Sequence, residues 1–195
     1  MLKLNLGCGN KLYPKEDGWI NIDVIEPTTK FKSVEIITPT SLEETNERFL
    51  FHNSLLQNLQ FVDENIADEI HGYHIIEHFY KDEVEGVLKE WFRVLKPGGK
   101  IILEQPDVVK CAANFLSGLL NGNKQLEYNL GLLGFYGDGT TQKPFMGHKC
   151  GWYFHSLKEA LEEVGFINSI CKPAQTHMKD IRDFRIEAEK PKNEK

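Results

Sequence analysis

Leu2, Leu4 and Leu6 alternate with polar residues and run directly into Gly7, a period of two that predicts a first strand ending in a glycine turn. Trp19-Ile20-Asn21-Ile22-Asp23-Val24 predicts a second strand, and Pro14 and Gly18 leave room between the two for a short or irregular helix only. Residues 25 to 48 are less legible: Val34 to Ile37 fits a strand, and Ser41 to Phe49 a helix begun by Ser41. Phe49 to His52, closed by Asn53, and Ala67 to His74 predict two further strands.

Val84, Val87, Leu88, Trp91, Phe92 and Leu95 then fall at helical spacing on one face, with Glu85 and Lys89 paired outside it. Lys96-Pro97-Gly98-Gly99 ends that helix, and Lys100 to Glu104 predicts the next strand. Residues 108 to 120 fit a helix that Asp107 can cap, whereas residues 121 to 154 carry many glycines among aromatics and predict a long loop. Ser156-Leu157-Lys158-Glu159 has the form of a capping box, followed by Ala160, Leu161 and Val164 in register and by Gly165 as a stop. Phe166 to Cys171 and Asp183 to Ala188 complete the pattern as strands.

Helix and strand alternate, which predicts an α/β fold around a largely parallel sheet. The 195 residues suit a single domain over residues 1–188, in which 108–154 includes a substrate-covering insertion and 189–195 form a frayed tail. A formal charge of −6 disfavours nucleic acid and anionic membranes as partners. Four widely spaced cysteines offer no zinc pattern, and no apolar stretch is long enough for a membrane span or signal peptide. The expectation is a cytoplasmic protein with reduced thiols and no metal.

Candidate chemistry gathers at Gly7-Cys8-Gly9. Glycines there let the backbone turn sharply and let a ligand approach main-chain N–H groups. Asp23, ending the adjacent strand, is placed to accept hydrogen bonds from ribose hydroxyls. A dinucleotide fingerprint fits poorly, since Leu12 stands where its third glycine belongs and Pro14 hinders the helix that would receive a pyrophosphate.

Leu4-Asn5-Leu6-Gly7-Cys8-Gly9-Asn10, Asn21-Ile22-Asp23, Ile75-Ile76-Glu77-His78-Phe79 and above all Glu90-Trp91-Phe92-Arg93-Val94-Leu95-Lys96-Pro97-Gly98-Gly99 resemble the motifs of small class I S-adenosylmethionine-dependent methyltransferases. The resemblance implies a Rossmann-like three-layer sandwich with a mostly parallel seven-stranded sheet and an antiparallel last strand. It implies S-adenosyl-L-methionine as cofactor and S-adenosyl-L-homocysteine as product. Gly7 and Gly9 would lie beneath the methionine part, Asp23 on the ribose and Asn53, where many relatives have Asp, near the adenine amine, with Leu6, Cys8, Asn10 and Val24 also among the cofactor-binding residues.

Tyr73 and His74, at the end of the fourth strand, would face the cofactor or the transferred methyl, and His148, in the glycine-rich segment, is the preferred base. His78 reads as a packing or helix-start residue, and Cys8 as a small turn residue. The function expected is methyl transfer to a small-molecule or sugar-like acceptor. The alternative is a catalytically silent domain that keeps the fold to bind cofactor or a partner.

Overall fold

The structure, a computed structural model, describes residues 1–25, 34–36, 49–138 and 147–192. Its strands are β1 (Lys3–Leu6), β2 (Trp19–Asp23), β3 (Val34–Ile36), β4 (Phe49–Asn53), β5 (Ala67–Tyr73), β6 (Leu95–Pro106), β7 (Ile167–Lys172) and β8 (Asp183–Glu189). They form one sheet in the order β3-β4-β2-β1-β5-β6-β8-β7. Every neighbouring pair is parallel except those of β8, which runs antiparallel to β6 and β7. The antiparallel last strand is as expected, and the short β3, which extends the edge alongside β4 and brings the count to eight, falls where Val34 to Ile37 fits a strand.

The helices are α1 (Val84–Val94), α2 (Val108–Asn121), a π-helical segment at Gln125–Leu132, α3 (Leu133–Tyr136), α4 (Phe154–Val164) and α5 (Lys179–Arg182). With the sheet they make the Rossmann-like three-layer arrangement. All five residues of β2 are buried, the near-continuous burial expected of a parallel strand covered on both faces. On α1 the stripe Val84, Val87, Leu88, Trp91 and Val94 is the buried face. Phe92 is only partly buried and meets Phe166 edge-on at 5.0 Å. The helix expected over Ser41 to Phe49 lies outside the described residues apart from Phe49, which opens β4.

Glu90 and Arg93 in α1 have a structural task. Glu90 accepts the Leu59 N–H at 2.7 Å, while Arg93 donates to the carbonyls of Leu59 and Val62 and to Glu90 itself. Trp91 Nε1 adds a bond to the Leu56 carbonyl at 2.8 Å. Together they pin the otherwise irregular stretch that follows β4.

Three expectations need correcting. Much of the segment read as a glycine-rich loop is helical, because its glycines serve close packing: a Cβ on Gly131 would lie 2.7 Å from Phe115 Cβ, and one on Gly134 would lie 2.2 Å from Cys111 Sγ. Helix α4 begins earlier than the capping-box reading, with Ser156 inside its first turn and its hydroxyl oxygen accepting the Tyr153 N–H. The tail is tied further along than expected, since Glu189 ends β8 and Lys190 Nζ donates to Asn65, to the Phe92 carbonyl and to the Leu95 carbonyl.

β2 and β4 lie to one side of β1, and the chain then crosses to β5 on its other side. Strand order thus reverses between β1 and β5, which in an open α/β sheet opens a crevice beyond their carboxyl ends. One wall of that crevice is held by Glu104 of β6. Its fully buried carboxylate accepts the N–H groups of Gln175 (2.9 Å) and Thr176 (2.8 Å), the Thr176 hydroxyl (2.6 Å) and Arg185 Nη1 (3.2 Å).

Burial alone would raise the Glu104 pKa, but these donors hold it below the usual carboxylate range. Its contribution to stability is therefore present above about pH 4.3, the ordinary glutamate value, and is lost as pH falls through the lower value in the fold. Glu104→Gln should cost about 1–3 kcal/mol in urea denaturation at neutral pH. The gap between the variant and the wild type should narrow as pH falls through that acid range.

Candidate functional site

After β1 the backbone turns at Gly7 and Gly9, both in the left-handed region with φ of +63° and +50°. The N–H groups of Gly7 and Cys8 both donate to the Ile22 carbonyl, at 2.8 and 3.2 Å. At the end of β2, Asp23 Oδ2 accepts the Gly9 N–H at 2.8 Å and Oδ1 accepts the Ile25 N–H at 2.9 Å. Two backbone donors aim the carboxylate, and each oxygen keeps a further lone pair for a ligand. A Cβ built on Gly9 meets no atom within 4 Å, so the main chain there is open to close approach. A Cβ on Gly7 would lie 2.6 Å from Ile75 Cδ1.

The loop after the turn is held from below by two buried amides. Asn5 Nδ2 donates to Asn21 Oδ1 (2.9 Å) and to the Lys11 carbonyl (2.8 Å). Asn21 in turn accepts the Tyr13 N–H (2.8 Å) and donates to the carbonyls of Tyr13 and Leu50 (each 2.9 Å). This network takes the place of the first helix that Pro14 prevents, leaving a single 3-10 turn at Lys15–Asp17.

A cavity of about 1240 Å³ opens at the crevice. It runs from the glycine turn past Asp23, Val24 and Ile25 and past Leu55, Leu56 and Gln57, and ends among His74, His78, His148, His177 and Arg182. That volume exceeds the roughly 300–1,000 Å³ of a typical small-molecule pocket, so a second molecule has room beside a cofactor.

At the far end His74 adopts a left-handed φ of +55°, with its N–H bonded to the Glu104 carbonyl at 2.7 Å. Its ring stands between two buried carboxylates, Nε2 being 3.1 Å from Asp183 Oδ2 and Nδ1 3.3 Å from Glu77 Oε1. Burial opposes a charge on this ring, but the two carboxylates outweigh it and hold the pKa up at about 9. Asp183 is further matched by Arg182 Nε at 2.7 Å.

His148 is carried in by the strand-like segment after residue 146, whose Lys149 and Cys150 N–H groups donate to the Glu77 carbonyl at 2.8 and 3.2 Å. Its Nδ1 lies 3.0 Å from the Gly134 carbonyl; a carbonyl only accepts, so Nδ1 bears the proton and Nε2 has the free pair. Burial lowers the His148 pKa, with the Glu77 charge opposing.

Of the residues singled out in the sequence, Gly7, Cys8, Gly9, Asn10, Asp23, Val24, Tyr73, His74 and His148 all line this cavity. Leu6 does not, since its side chain belongs to the hydrophobic core. Asn53 also lies outside the lining, its amide spent on the Val24 carbonyl at 3.2 Å. Burial, reinforced by the nearby Asp23, pushes the Cys8 thiol far up, which disfavours a thiolate there. Not anticipated are Leu55 to Gln57, Thr176, His177 and Arg182, which reach the cavity from segments without a recognisable pattern. His78 lines it as well, although the sequence suggested packing.

A family model described as a methyltransferase domain matches residues 4–103. Among solved structures, a SAM-dependent methyltransferase from Archaeoglobus fulgidus is 17% identical with a TM-score of 0.59, covering 96% of this chain and 85% of its own. A SAM-dependent methyltransferase from Methanosarcina mazei is 18% identical with a TM-score of 0.61, the alignment covering 98% of this chain and 93% of that one. The 1,6-didemethyltoxoflavin-N1-methyltransferase of Burkholderia thailandensis, solved with 1,6-didemethyltoxoflavin and S-adenosylhomocysteine bound, is 15% identical with a TM-score of 0.61, covering 97% and 71%. No curated protein matches the chain.

The two turn glycines separate in what they tolerate. Gly9→Ala should cost only the left-handed backbone term of about 1–2 kcal/mol. Gly7→Ala adds the clash with Ile75 and should cost about 1–3 kcal/mol more, read as a lower urea midpoint at unchanged m-value. Equal losses in the two variants would contradict the close approach of Ile75.

Proposed function

Because the chain belongs to the methyltransferase-domain family and is an S-adenosylmethionine-dependent methyltransferase, we propose that it methylates a small, polar, sugar-like or similarly hydroxylated acceptor. The observation that carries this reading is the cavity, with a glycine turn and an acid at one end and a cluster of imidazoles at the other. The acidic net charge argues against nucleic acid, and among the described residues no helix is long and apolar enough to cross a membrane. The Burkholderia neighbour, with its small heterocyclic acceptor, supports the same size class.

The residues fit the cofactor. Gly7, Cys8 and Gly9 would hold its methionine part, with Asn10 beside them, and Asp23 would offer its two outward lone pairs to the ribose hydroxyls, as a carboxylate at the end of the second strand can. Leu55 and Leu56 would supply apolar surface to the adenine, and Gln57 rather than Asn53 is the polar side chain on the cavity there. S-adenosylmethionine brings a methyl group already activated on a sulfonium. What the protein must add is in-line placement of the acceptor, exclusion of water and, for a protonated nucleophile, a proton acceptor.

His74 is not that acceptor. Clamped between Asp183 and Glu77 it keeps its proton at neutral pH, and with both ring nitrogens turned to those carboxylates it borders the cavity as a fixed, charge-matched wall. The Nε2 pair of His148 is the better placed group to take a proton. Tyr73, next to His74, lines the cavity and would border the transferred methyl; burial raises its pKa, so it stays a neutral hydroxyl.

Isothermal titration of S-adenosylhomocysteine tests the cofactor half. The wild type should bind, and Asp23→Ala should weaken binding at least tenfold, about 1.4 kcal/mol. Transfer of labelled methyl from S-adenosylmethionine into pools of small hydroxylated compounds tests the acceptor half. Absence of binding to the wild type overturns the cofactor placement, and binding without transfer to any pool favours the silent domain.

A further inference from the structure

Glu77 is 2% exposed, and neither of its carboxylate oxygens has a hydrogen-bond partner among the described residues. A buried carboxylate left so incompletely matched costs several kcal/mol unless a charge answers it. His74 answers it from one side only, at 3.3 Å and off the line of a hydrogen bond. On the other side stand His78 and His148, and one ligand atom from each of the three residues lies within 4.8 Å of the others.

Both histidines are prepared in the same way. His78 Nδ1 faces the Gly147 carbonyl at 3.3 Å, as His148 Nδ1 faces that of Gly134 at 3.0 Å. A backbone carbonyl on one ring nitrogen fixes the proton there, turns the lone pair of the other outward and is the usual outer support of an imidazole that binds a metal. His148 Nε2 is already 3.9 Å from Glu77 Oε1.

We propose that Glu77, His78 and His148 form a site for one divalent transition-metal ion at the imidazole end of the cavity. Two neutral imidazoles and one carboxylate suit zinc, iron(II), cobalt(II) or manganese(II), and three protein ligands leave positions open. Metal–ligand bonds of about 2.0–2.1 Å need the three donor atoms to close to about 3.3 Å apart, a shift within the reach of side-chain rotation. Because His78 and His148 line the cavity, the open positions face the place given above to the acceptor, and an acceptor oxygen would complete the coordination. That last step rests on the proposed function. With the His148 pair held by the ion, the ion's charge would lower the pKa of a bound acceptor hydroxyl so that its proton passes to solvent water, and the oxygen would then take the methyl from the sulfonium, leaving S-adenosylhomocysteine.

The test uses the full chain, stripped with a chelator and titrated with cobalt(II) and with zinc(II), with S-adenosylhomocysteine binding measured on the same samples. One equivalent should bind, cobalt should show ligand-field absorption without a thiolate charge-transfer band, and His78→Ala and His148→Ala should each weaken binding at least tenfold. Glu77→Gln should do the same, and the two histidine variants decide the matter if it does not fold. Cys171→Ser, at an exposed thiol, should leave binding unchanged. No stoichiometric binding, a thiolate band, or affinity that survives both histidine changes overturns the site. Retained S-adenosylhomocysteine binding alongside any of these leaves the methyltransferase reading intact, whereas metal binding without it keeps the site and removes that reading.

Discussion

Three carboxylates, Glu77, Glu104 and Asp183, are removed from water at the carboxyl ends of the sheet, and burial of this kind must be answered by charge or by hydrogen bonds. Each answer recruits a different piece of chain. Glu104 gathers the N–H groups of Gln175 and Thr176 and so fixes the loop that brings Thr176 and His177 to the cavity. Asp183 takes Arg182 on one side and His74 on the other. Glu77 faces His74 with one oxygen and holds the 148–150 segment through its main-chain carbonyl. The imidazole end of the cavity is thus assembled from segments far apart in sequence because buried negative charge leaves them few other arrangements.

The glycine-turn end follows a different logic. There the groups that matter belong to the backbone: glycine N–H groups, the Ile22 carbonyl, and the main chain of Lys11 and Tyr13 held by Asn5 and Asn21. Asp23 is oriented by N–H donors from both flanks, which makes its position a consequence of strand register, since β1 and β2 pair Leu6 with Ile22. A site built from backbone and register accepts changes in most side chains as long as glycines remain where φ is positive.

This difference explains what could be read in the sequence. Strand and helix periodicities carried the α/β sheet, because β1, β2, α1 and β6 each express their burial as a local pattern. The glycine turn and Asp23 were legible for the same reason, being local to two adjacent strands. Asn53 was placed by analogy with an acid and lies outside the cavity because its amide turns to Val24. His177 and Arg182 carry no local signal, and neither the motif around His78 nor the strand that Asp183 opens says what these side chains meet, because their roles arise from contacts such as those of His74 with Asp183 and of His78 with Gly147. Gly131 and Gly134 misled in the opposite sense, since glycine that permits helices to touch and glycine that loosens a loop look alike in composition.

His74 joins the two ends. A non-glycine residue at φ +55° carries a cost of about 1–2 kcal/mol, and here the bond from its N–H to Glu104 and the two carboxylates around its ring offset it. The left-handed turn diverts the chain out of β5, so that Ile75 comes down over Gly7 and the short 3-10 helix at Ile76–His78 begins at the mouth of the cavity. The same residue therefore sets how closely Ile75 covers the glycine turn and where Glu77 and His78 stand. An extended backbone at this position would free the turn from Ile75 and withdraw the imidazole cluster together, which ties the two ends of the cavity to a single dihedral angle at the point where the strand order reverses.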